Sequence, residues 1–560
     1  MNTKKALLAA LALLLPATNL TVYAQSDLKS KVPHYRFSND EKRQRQELRD
    51  NPLLKRYAQS RDRLDSLDRH RPAYHFISPE GRLNDPNGLC FWNGRWHLFY
   101  QAYPPEDPRQ HWGHAVSDDM IHWQDLPLAI YPDPESKVYS GATFVDGNRV
   151  IAAYHGVGYG NIAAISTDPL LLNWEKLPDP IVPITKKGEN KPYNVFDPCI
   201  WRKGEYYYAL SAGTQPTGPD GQRVPAEYLF RSKDLKQWEY MHQFIEHNDY
   251  SLVGDDGACP YFWPIGDKGK HILLHFSHKS GGKYLIGDYD TAADKFIVTG
   301  GGNFNHGPVS NGGVHAPSAF PDGNGGIVAI FNMTSGKRIG GNSYSELMTL
   351  PRLLTLDSLG FLRIQPYGDI ESLRGECVSL SDMALPANRE IVLDEVKGNT
   401  MEIEAEIDMC GAPAVEIDVL RSPQKEEYTR IVFYRNGGYP DRTKPSRSKL
   451  RASAIAIDNS CGSLSEDVRP RVTETADVYL NKDENVKLRI FIDRSVVEVF
   501  VNGRQCIAVR TYPTLDESTG VSIRSFGKEA RLVKLDAWQM DNIYHPAKEA
   551  TDGSGNALRR

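Results

Sequence analysis

Residues 88–100 read Gly-Leu-Cys-Phe-Trp-Asn-Gly-Arg-Trp-His-Leu-Phe-Tyr, two aromatic-rich apolar runs separated by Asn93-Gly94. Asn-Gly between two such runs favours a tight turn, so this stretch predicts a β-hairpin. The same arrangement returns at residues 200–210 and 261–276, again with glycine in the turn. From about residue 73, the chain is therefore predicted to form short antiparallel strands.

A second motif follows these hairpins and ends in an aromatic residue. The stretch Ser117-Asp-Asp-Met-Ile-His-Trp123 is similar to Ser166–Trp174 and Ser232–Trp238, with looser copies at 287–296 and 349–361. The closing aromatic residues of successive copies are 51 to 65 residues apart. A repeat of this length with several strands per unit is typical of a β-propeller, and five copies predict five blades.

The chain changes character on both sides of this repeat. Residues 25–72 are polar and charged and contain the helix-start signal Asp50-Asn51-Pro52, which predicts a short helical extension. Residues 382–545 show longer alternating strands, which predict an antiparallel β-sandwich. The predicted fold is all-β: a five-bladed β-propeller at 73–372, a C-terminal sandwich, and a disordered tail at 546–560.

The composition excludes several classes of function. With 66 Lys and Arg against 71 Asp and Glu, the net charge is -5, whereas nucleic-acid-binding surfaces normally bring a basic excess. The seven cysteines form no CxxC pair, and the 16 histidines show no HExxH motif. The sequence therefore predicts no metal, no cofactor and no nucleic-acid partner, and it indicates no particular oligomeric state.

The first 24 residues have the composition of a cleavable signal peptide. Lys4 and Lys5 precede an apolar run at 6–15, and Val22-Tyr23-Ala24 supplies small residues at the cleavage positions. That run is too short to cross a bilayer, and no later stretch approaches 18 apolar residues. We expect a secreted or periplasmic protein without a membrane span.

The cluster Asn84-Asp85-Pro86-Asn87-Gly88 stands directly before the first hairpin, where a propeller directs side chains into its central funnel. A carboxylate beside proline and between two asparagines would be held in one place and suits a catalytic role. The same residue types also form ordinary Asx-Pro turns. On this motif alone, both interpretations stay open.

Further motifs follow in the order that they have in glycoside hydrolase family 32, the invertases, levanases and inulinases. Besides Asn84–Gly88, they are His75-Phe76, Tyr100-Gln101, Trp112–Ser117, Tyr139–Ala142, Phe196-Asp197-Pro198 and Asp493–Phe500. The chain resembles this family over about residues 73–545. The resemblance implies retaining hydrolysis of terminal β-fructofuranosyl units, with a fructan or a sucrose-like oligosaccharide as substrate.

The resemblance also implies roles for individual residues. Retaining hydrolysis needs a nucleophilic carboxylate and a second group that protonates the leaving oxygen. By resemblance, Asp85 is the nucleophile and Asp197 stabilises the transition state. Other residues match positions that bind the sugar: Asn84, Gln101, Trp112, Ser140 and Phe196.

Three positions depart from the family pattern. Ala258 stands where the family carries its acid/base glutamate, Phe196 replaces an arginine, and Arg82-Leu83 replace Trp-Met. These departures motivate two alternatives: a furanosidase for a sugar other than fructose, and a carbohydrate-binding protein with an impaired site. A propeller used only for protein interaction would not need the Asn84-Asp85-Pro86 cluster.

Another group has to supply the missing proton. We expect Asp255 or Asp256, which precede Ala258 on the same loop, to stay protonated near neutral pH through like-charge repulsion and burial. Glu227 is the next candidate. We exclude Glu376, although it forms the only Glu-Cys pair, because it follows the last blade and no proline comes after the cysteine.

Overall fold

The computed structural model describes residues 29–309, 312–335, 346–442 and 447–544. The predicted signal peptide and the predicted disordered tail lie outside these residues.

Two helices precede the sheets, α1 at Glu41–Asp50 and α2 at Pro52–Leu67, as predicted for the extension. Asn51 begins α2 by accepting hydrogen bonds from the first backbone N–H groups, with proline in the first helical position. The buried Arg61 joins α2 to the first blade through a bidentate pair with Asp125. Within the described residues, neither helix is long and apolar enough to cross a membrane.

Five sheets of four or five strands follow in chain order and form the five predicted blades. Blade I contains β1 (Arg82–Trp92), β2 (Arg95–Tyr103), β3 (His111–Ser117) and β4 (Gln124–Ile130). Blade II contains β5 (Val138–Asp146), β6 (Arg149–Gly156), β7 (Gly160–Ser166), β8 (Glu175–Lys176) and β9 (Val182–Pro183). Blade III contains β10 (Pro198–Lys203), β11 (Tyr206–Ser211), β14 (Tyr228–Ser232) and β15 (Glu239–Gln243), with the small pair β12 (Thr214–Gln215) and β13 (Val224–Pro225) between them. Blade IV contains β16 (Ile245–Glu246), β17 (Ala258–Ile265), β18 (Lys270–Ser277), β19 (Gly281–Asp290) and β20 (Lys295–Asn303). Blade V contains β21 (Val314–Pro321), β22 (Ile327–Met333), β23 (Leu347–Met348), β24 (Arg352–Leu356) and β25 (Leu362–Pro366).

The repeated turn motif connects the third and fourth strands of each blade, counted outward from the strand nearest the funnel. In every copy an aspartate accepts hydrogen bonds from backbone N–H groups two to five residues further along the chain. These aspartates are Asp119, Asp168, Asp234, Asp290 and Asp357. Each aspartate closes one tight turn, and every blade contains one such turn, so the motif recurs once per blade.

The innermost strands β1, β5, β10, β17 and β21 contact one another in sequence, and β21 returns to β1, so the ring is closed. Four of them, all except β10, carry a β-bulge near their first residues. A bulge adds one residue to a strand and redirects a side chain. The bulges therefore lie at the end of the funnel where the predicted catalytic residues gather.

Two six-stranded antiparallel sheets form the sandwich. Their strands are β26 (Arg374–Leu385), β27 (Glu390–Lys397), β28 (Thr400–Asp408), β29 (Ala414–Arg421), β30 (Thr429–Tyr434), β31 (Arg451–Asp458), β32 (Glu474–Leu480), β33 (Val486–Asp493), β34 (Val496–Val501), β35 (Gln505–Arg510), β36 (Gly520–Phe526) and β37 (Ala530–Met540). One sheet has the order β26-β37-β28-β33-β34-β35 and the other β27-β36-β29-β30-β31-β32. The first sandwich strand begins at Arg374, ahead of the predicted boundary at residue 382.

Buried ion pairs join the sandwich to the propeller. The His75 ring, which has no exposed surface, contacts the Asp493 carboxylate through Nδ1 at 2.8 Å and the Glu498 carboxylate through Nε2 at 3.1 Å. Asp493 also accepts the backbone N–H groups of residues 73–75. Arg352 of blade V donates to Glu498 at 2.8 Å. The motif at 493–500 therefore serves the domain interface.

Candidate active site

Asp85 lies on β1 at its bulge, partly accessible at the mouth of the funnel. The Ser140 hydroxyl of β5 donates to Asp85 Oδ2 at 2.7 Å, and the Gln101 amide donates to the same oxygen at 3.3 Å. Gln101 also donates to Ser140 Oγ at 2.8 Å. Three residues predicted from sequence therefore form one hydrogen-bonded group that fixes the carboxylate.

The group continues into blade V. Asn84 donates from Nδ2 to Gln101 Oε1 at 3.1 Å and accepts from Asn332 Nδ2 at 3.0 Å. Asn332 donates also to Glu346 at 3.1 Å. Burial and the nearby Asp85 raise the pKa of Glu346 to about 7. Sequence reasoning missed both blade V residues, because only ring closure brings them beside β1.

Asp197 stands immediately before β10, almost completely buried on the facing side of the funnel. Its Oδ2 accepts the backbone N–H of Cys259 at 3.1 Å and contacts the Cys259 thiol at 3.4 Å. The same thiol lies 3.8 Å from Asp85 Oδ2. A single side chain therefore touches both carboxyl groups, so the predicted nucleophile and stabiliser lie in one site.

Their proximity changes how the two carboxyl groups titrate. Burial raises the pKa of Asp85, while the hydrogen bond from Ser140 opposes the increase. Burial and the charge of Asp85 raise the pKa of Asp197 to about 7. Two close carboxylates resist double ionisation. Because Asp85 has the stronger donors, it is the better placed of the two to carry the charge of a nucleophile.

Trp112 helps to position Ser140 within this hydrogen-bonded group. Its ring is completely buried and packs against Phe99 with 5.7 Å between centroids. The indole N–H donates to the carbonyl of Tyr139 at 2.9 Å. This contact holds the strand that carries Ser140 beside Asp85.

Two of the departures from the family pattern meet in one apolar patch. Phe196 packs against a buried cluster of Ala258, Cys259, Phe276 and Ala316. The Ala258 side chain has no exposed surface, so its methyl group is enclosed by this cluster. The position expected to carry an acid and the position expected to carry an arginine are both hydrophobic here.

Asp255 does not fit the role of proton donor that the sequence suggested. Its carboxylate is completely buried, accepts from the Ser280 hydroxyl at 2.7 Å and lies 3.4 Å from the Lys283 ammonium group. Burial favours the protonated form, but the seryl hydroxyls and Lys283 outweigh it and hold the pKa of Asp255 below its usual value. The ionised Asp255 carboxylate therefore stabilises the loop that precedes β17.

Asp256 is instead paired with a histidine. Its Oδ2 lies 2.6 Å from His278 Nδ1, and its Oδ1 accepts the His278 backbone N–H at 3.2 Å. His278 follows β18 and is largely exposed at the funnel mouth. The hydrogen bond with Asp256 raises the pKa of His278, and Asp197 and Asp85 act in the same direction.

Glu227 is a buried carboxyl group that has no hydrogen-bond partner among the described residues. Burial, with Asp256 and Asp197 nearby, raises the pKa of Glu227 well above its usual range. Its carboxyl lies against the backbone of Gly257, whose φ is +70°. Glu227 therefore lies behind the loop that carries Ala258, with no surface open to the funnel.

Glu376 lies outside the propeller, on the first strand of the sandwich. It is exposed on β26, the edge strand of its sheet, as the exclusion predicted. Within the described ranges, no group of three or more histidine, cysteine or carboxylate side chains is placed to hold a metal ion.

Comparison with known proteins identifies the family. Residues 75–366 match the N-terminal domain of glycosyl hydrolases family 32, and residues 369–539 match its C-terminal domain. A fructan 6-exohydrolase from Beta vulgaris is 26% identical over 85% of this chain and 88% of that protein. A β-fructofuranosidase from Daucus carota is 28% identical, covering 84% and 89%. The crystal structure of fructan 1-exohydrolase IIa from Cichorium intybus shares the fold, with a TM-score of 0.71 at 20% identity over 85% of this chain and 98% of that one. The chain belongs to glycoside hydrolase family 32.

Proposed function

We propose that this protein is a retaining glycosidase that cleaves terminal β-fructofuranosyl units from a fructan or a sucrose-like oligosaccharide. The observation that carries the proposal is the hydrogen-bonded group that fixes Asp85 opposite Asp197. The names of its relatives, a fructan exohydrolase and a β-fructofuranosidase, support the choice of sugar.

In this proposal Asp85 attacks the anomeric carbon and forms a glycosyl-enzyme. Ser140 and Gln101 hold the attacking carboxylate in one orientation, which lowers the cost of positioning. Asp197 faces the sugar from the other side, where its carboxyl binds hydroxyl groups as positive charge develops on the ring. Asn84 and Glu346 present an amide and a carboxyl group to the hydroxyls near blade V.

We also propose that the protein is exported. The positive Lys4 and Lys5, the short apolar run and the small residues before position 25 support a cleaved signal peptide. A hydrolase of extracellular oligosaccharides would need this route to meet its substrate.

The test compares the purified protein with its Asp85→Asn variant on sucrose, short fructo-oligosaccharides, inulin and levan. Release of fructose should fall by at least about 10³-fold in the variant, because an amide cannot form the glycosyl-enzyme. The matched control is Asp234→Asn, which makes the same chemical change in a turn of blade III and should keep its activity. Near-normal turnover by Asp85→Asn, or no cleavage of any β-fructofuranoside by the unaltered protein, would contradict the proposal.

A further inference from the structure

A retaining glycosidase must protonate its leaving oxygen, and the position that does so in the family is an alanine here. Ala258 is enclosed by hydrophobic side chains, and Phe196 closes the same patch. The general acid, if the proposed function holds, therefore comes from another element that reaches this part of the funnel.

His278 covers this patch. Its ring centroid lies 4.8 Å from that of Phe276 in an edge-on contact and 6.2 Å from that of Phe196. These are the two aromatic rings that pack around Ala258. His278 therefore stands over the position left by the missing glutamate, on the turn that follows β18.

The contacts of His278 are those of an oriented acid. Nδ1 and the backbone N–H both engage the Asp256 carboxylate, at 2.6 Å and 3.2 Å, so the ring is fixed and its outer nitrogen Nε2 has no hydrogen bond with the described residues. A carboxylate behind one ring nitrogen is the usual way to orient a catalytic histidine. Asp256 thus acts as a positioning residue.

Charged groups on neighbouring elements favour the imidazolium. Asp256 lies beside the ring, while Asp197 of blade III and Asp85 of blade I act on it across the funnel. His315 of blade V also interacts with His278, but burial lowers the pKa of His315 to about 4, so it adds no positive charge at neutral pH. The net field at His278 is negative, which raises its pKa and favours the protonated ring that can donate.

We propose that His278, oriented by Asp256, is the proton donor and acceptor of this enzyme. As an Asp85 oxygen bonds to the anomeric carbon, the bond from that carbon to the leaving oxygen breaks. The electron pair stays on the leaving oxygen, which takes the proton from His278 Nε2. The neutral ring then removes a proton from water while the water oxygen bonds to the anomeric carbon. The bond to Asp85 breaks, which restores the carboxylate and the imidazolium.

The other carboxyl groups fit this role less well. Asp255 is paired with Lys283 and buried, and Glu227 has no surface open to the funnel. Glu346 accepts from the Asn332 amide, which also bonds Asn84 and the Ala316 backbone N–H, so its carboxyl group is engaged in supporting Asn84.

The Cys259 thiol belongs to the patch and touches both catalytic carboxyl groups, but burial and those carboxyl groups raise its pKa well above the usual value. Among the described histidines that contact the aromatic rings of this patch, His278 is the exposed one.

The experiment measures kcat/KM for His278→Gln on two substrates, a fructo-oligosaccharide and a nitrophenyl β-fructofuranoside. The oligosaccharide value should fall by about 10²–10⁴-fold, the usual worth of a general acid. The nitrophenyl value should stay within a few-fold, because nitrophenolate leaves without protonation. Azide should restore kcat of the variant on the nitrophenyl substrate and give the fructosyl azide, since azide needs no general base.

The pH profile distinguishes a catalytic role from a structural one. The alkaline limb of kcat/KM on the oligosaccharide should be absent in His278→Gln. In Asp256→Asn it should move to lower pH, because the carboxylate that raises the pKa of His278 is lost. His122→Gln is the matched control, since His122 forms the same kind of pair with Asp119 at 2.7 Å on blade I. That variant should behave as the unaltered protein does.

Each result decides one claim. Equal losses on both substrates with intact folding, or no loss on the oligosaccharide, would overturn the role of His278 and leave the role of Asp85 standing. Failure of the unaltered protein to cleave even the nitrophenyl substrate would overturn the proposed function together with this inference. A thousand-fold oligosaccharide-specific loss in Glu227→Gln, with His278→Gln active, would assign the donor to Glu227.

Discussion

Replacing His75 with glutamine should destabilise the protein in a pH-dependent manner. His75 is buried between Asp493 and Glu498 where the propeller meets the sandwich. Burial by itself lowers the pKa of His75, but hydrogen bonds to the two carboxylates raise it to about 9, from 6.5 for an ordinary histidine. A pKa difference of this size between the folded and the unfolded protein corresponds to about 3 kcal/mol of stability. The imidazolium is therefore expected to hold the two domains together at neutral pH.

The sign of the pH dependence follows from the raised pKa. The stabilisation is fully present below about pH 6.5, where His75 is protonated in both states, and it is lost as pH rises through 9. In His75→Gln this contribution is absent at every pH, and two buried carboxylates lose their shared partner. Breaking a buried ion pair in this way typically costs about 3–5 kcal/mol.

The assay is equilibrium urea unfolding of both proteins at pH 6, 8 and 10, followed by tryptophan fluorescence. The difference in free energy of unfolding should be largest at pH 6 and should shrink by about 3 kcal/mol at pH 10. Taking the difference cancels groups that titrate identically in the two proteins. His122→Gln is the control, since that histidine lies in an exposed turn. A difference that stays constant across this range would refute the claim that His75 is charged in the folded state.

Further predictions concern the loop around Ala258 and the domain junction. Ala258→Glu should lower the melting temperature and add no activity, because the new carboxyl would be buried among hydrophobic side chains. Adding Phe196→Arg to this variant should restore much of the lost stability, which thermal unfolding would measure. Gly257→Ala should cost about 1–3 kcal/mol in urea unfolding, since φ is +70° and the added Cβ meets the Glu227 carboxyl. Glu376→Gln should leave kcat within a few-fold, because Glu376 is exposed on the sandwich; a thousand-fold loss with intact folding would make it the acid after all.

The fold could be predicted from the sequence because each blade carries its own local signals. The aspartate that caps a turn, as Asp234 does for residues 236 and 237, acts within a few residues and therefore repeats along the chain. The signal for the proposed nucleophile Asp85 is equally local, since it lies in the compact five-residue cluster Asn84–Gly88. Ala258 indicates that the acid of the family is absent, but no residue near it in the sequence identifies the group that replaces this acid. His278 joins Asp256 only because β17 and β18 pair as a hairpin.

Long-range contacts explain the other residues that the sequence did not reveal. Asn332 and Glu346 reach Asn84 because blade V closes the ring against blade I. The pattern of polar residues in blade V does not distinguish these two from ordinary loop residues. Asp255 was misjudged for a similar reason: adjacent acidic residues predicted repulsion, whereas Lys283 from β19 neutralises one of them and His278 pairs with the other.

The paired substitutions at 196 and 258 bear on whether the site is impaired. A glutamate at 258 beside Phe196 would place an unpaired carboxyl group in an apolar patch, which is costly, whereas hydrophobic residues at both positions pack without that cost. Here both positions are hydrophobic and pack against each other, while the donors to Asp85 are intact. A site that had simply lost function would have no reason to keep Ser140 and Gln101 bonded to a nucleophile. The intact donors to Asp85 therefore favour the proposed exchange of the proton donor over an impaired site.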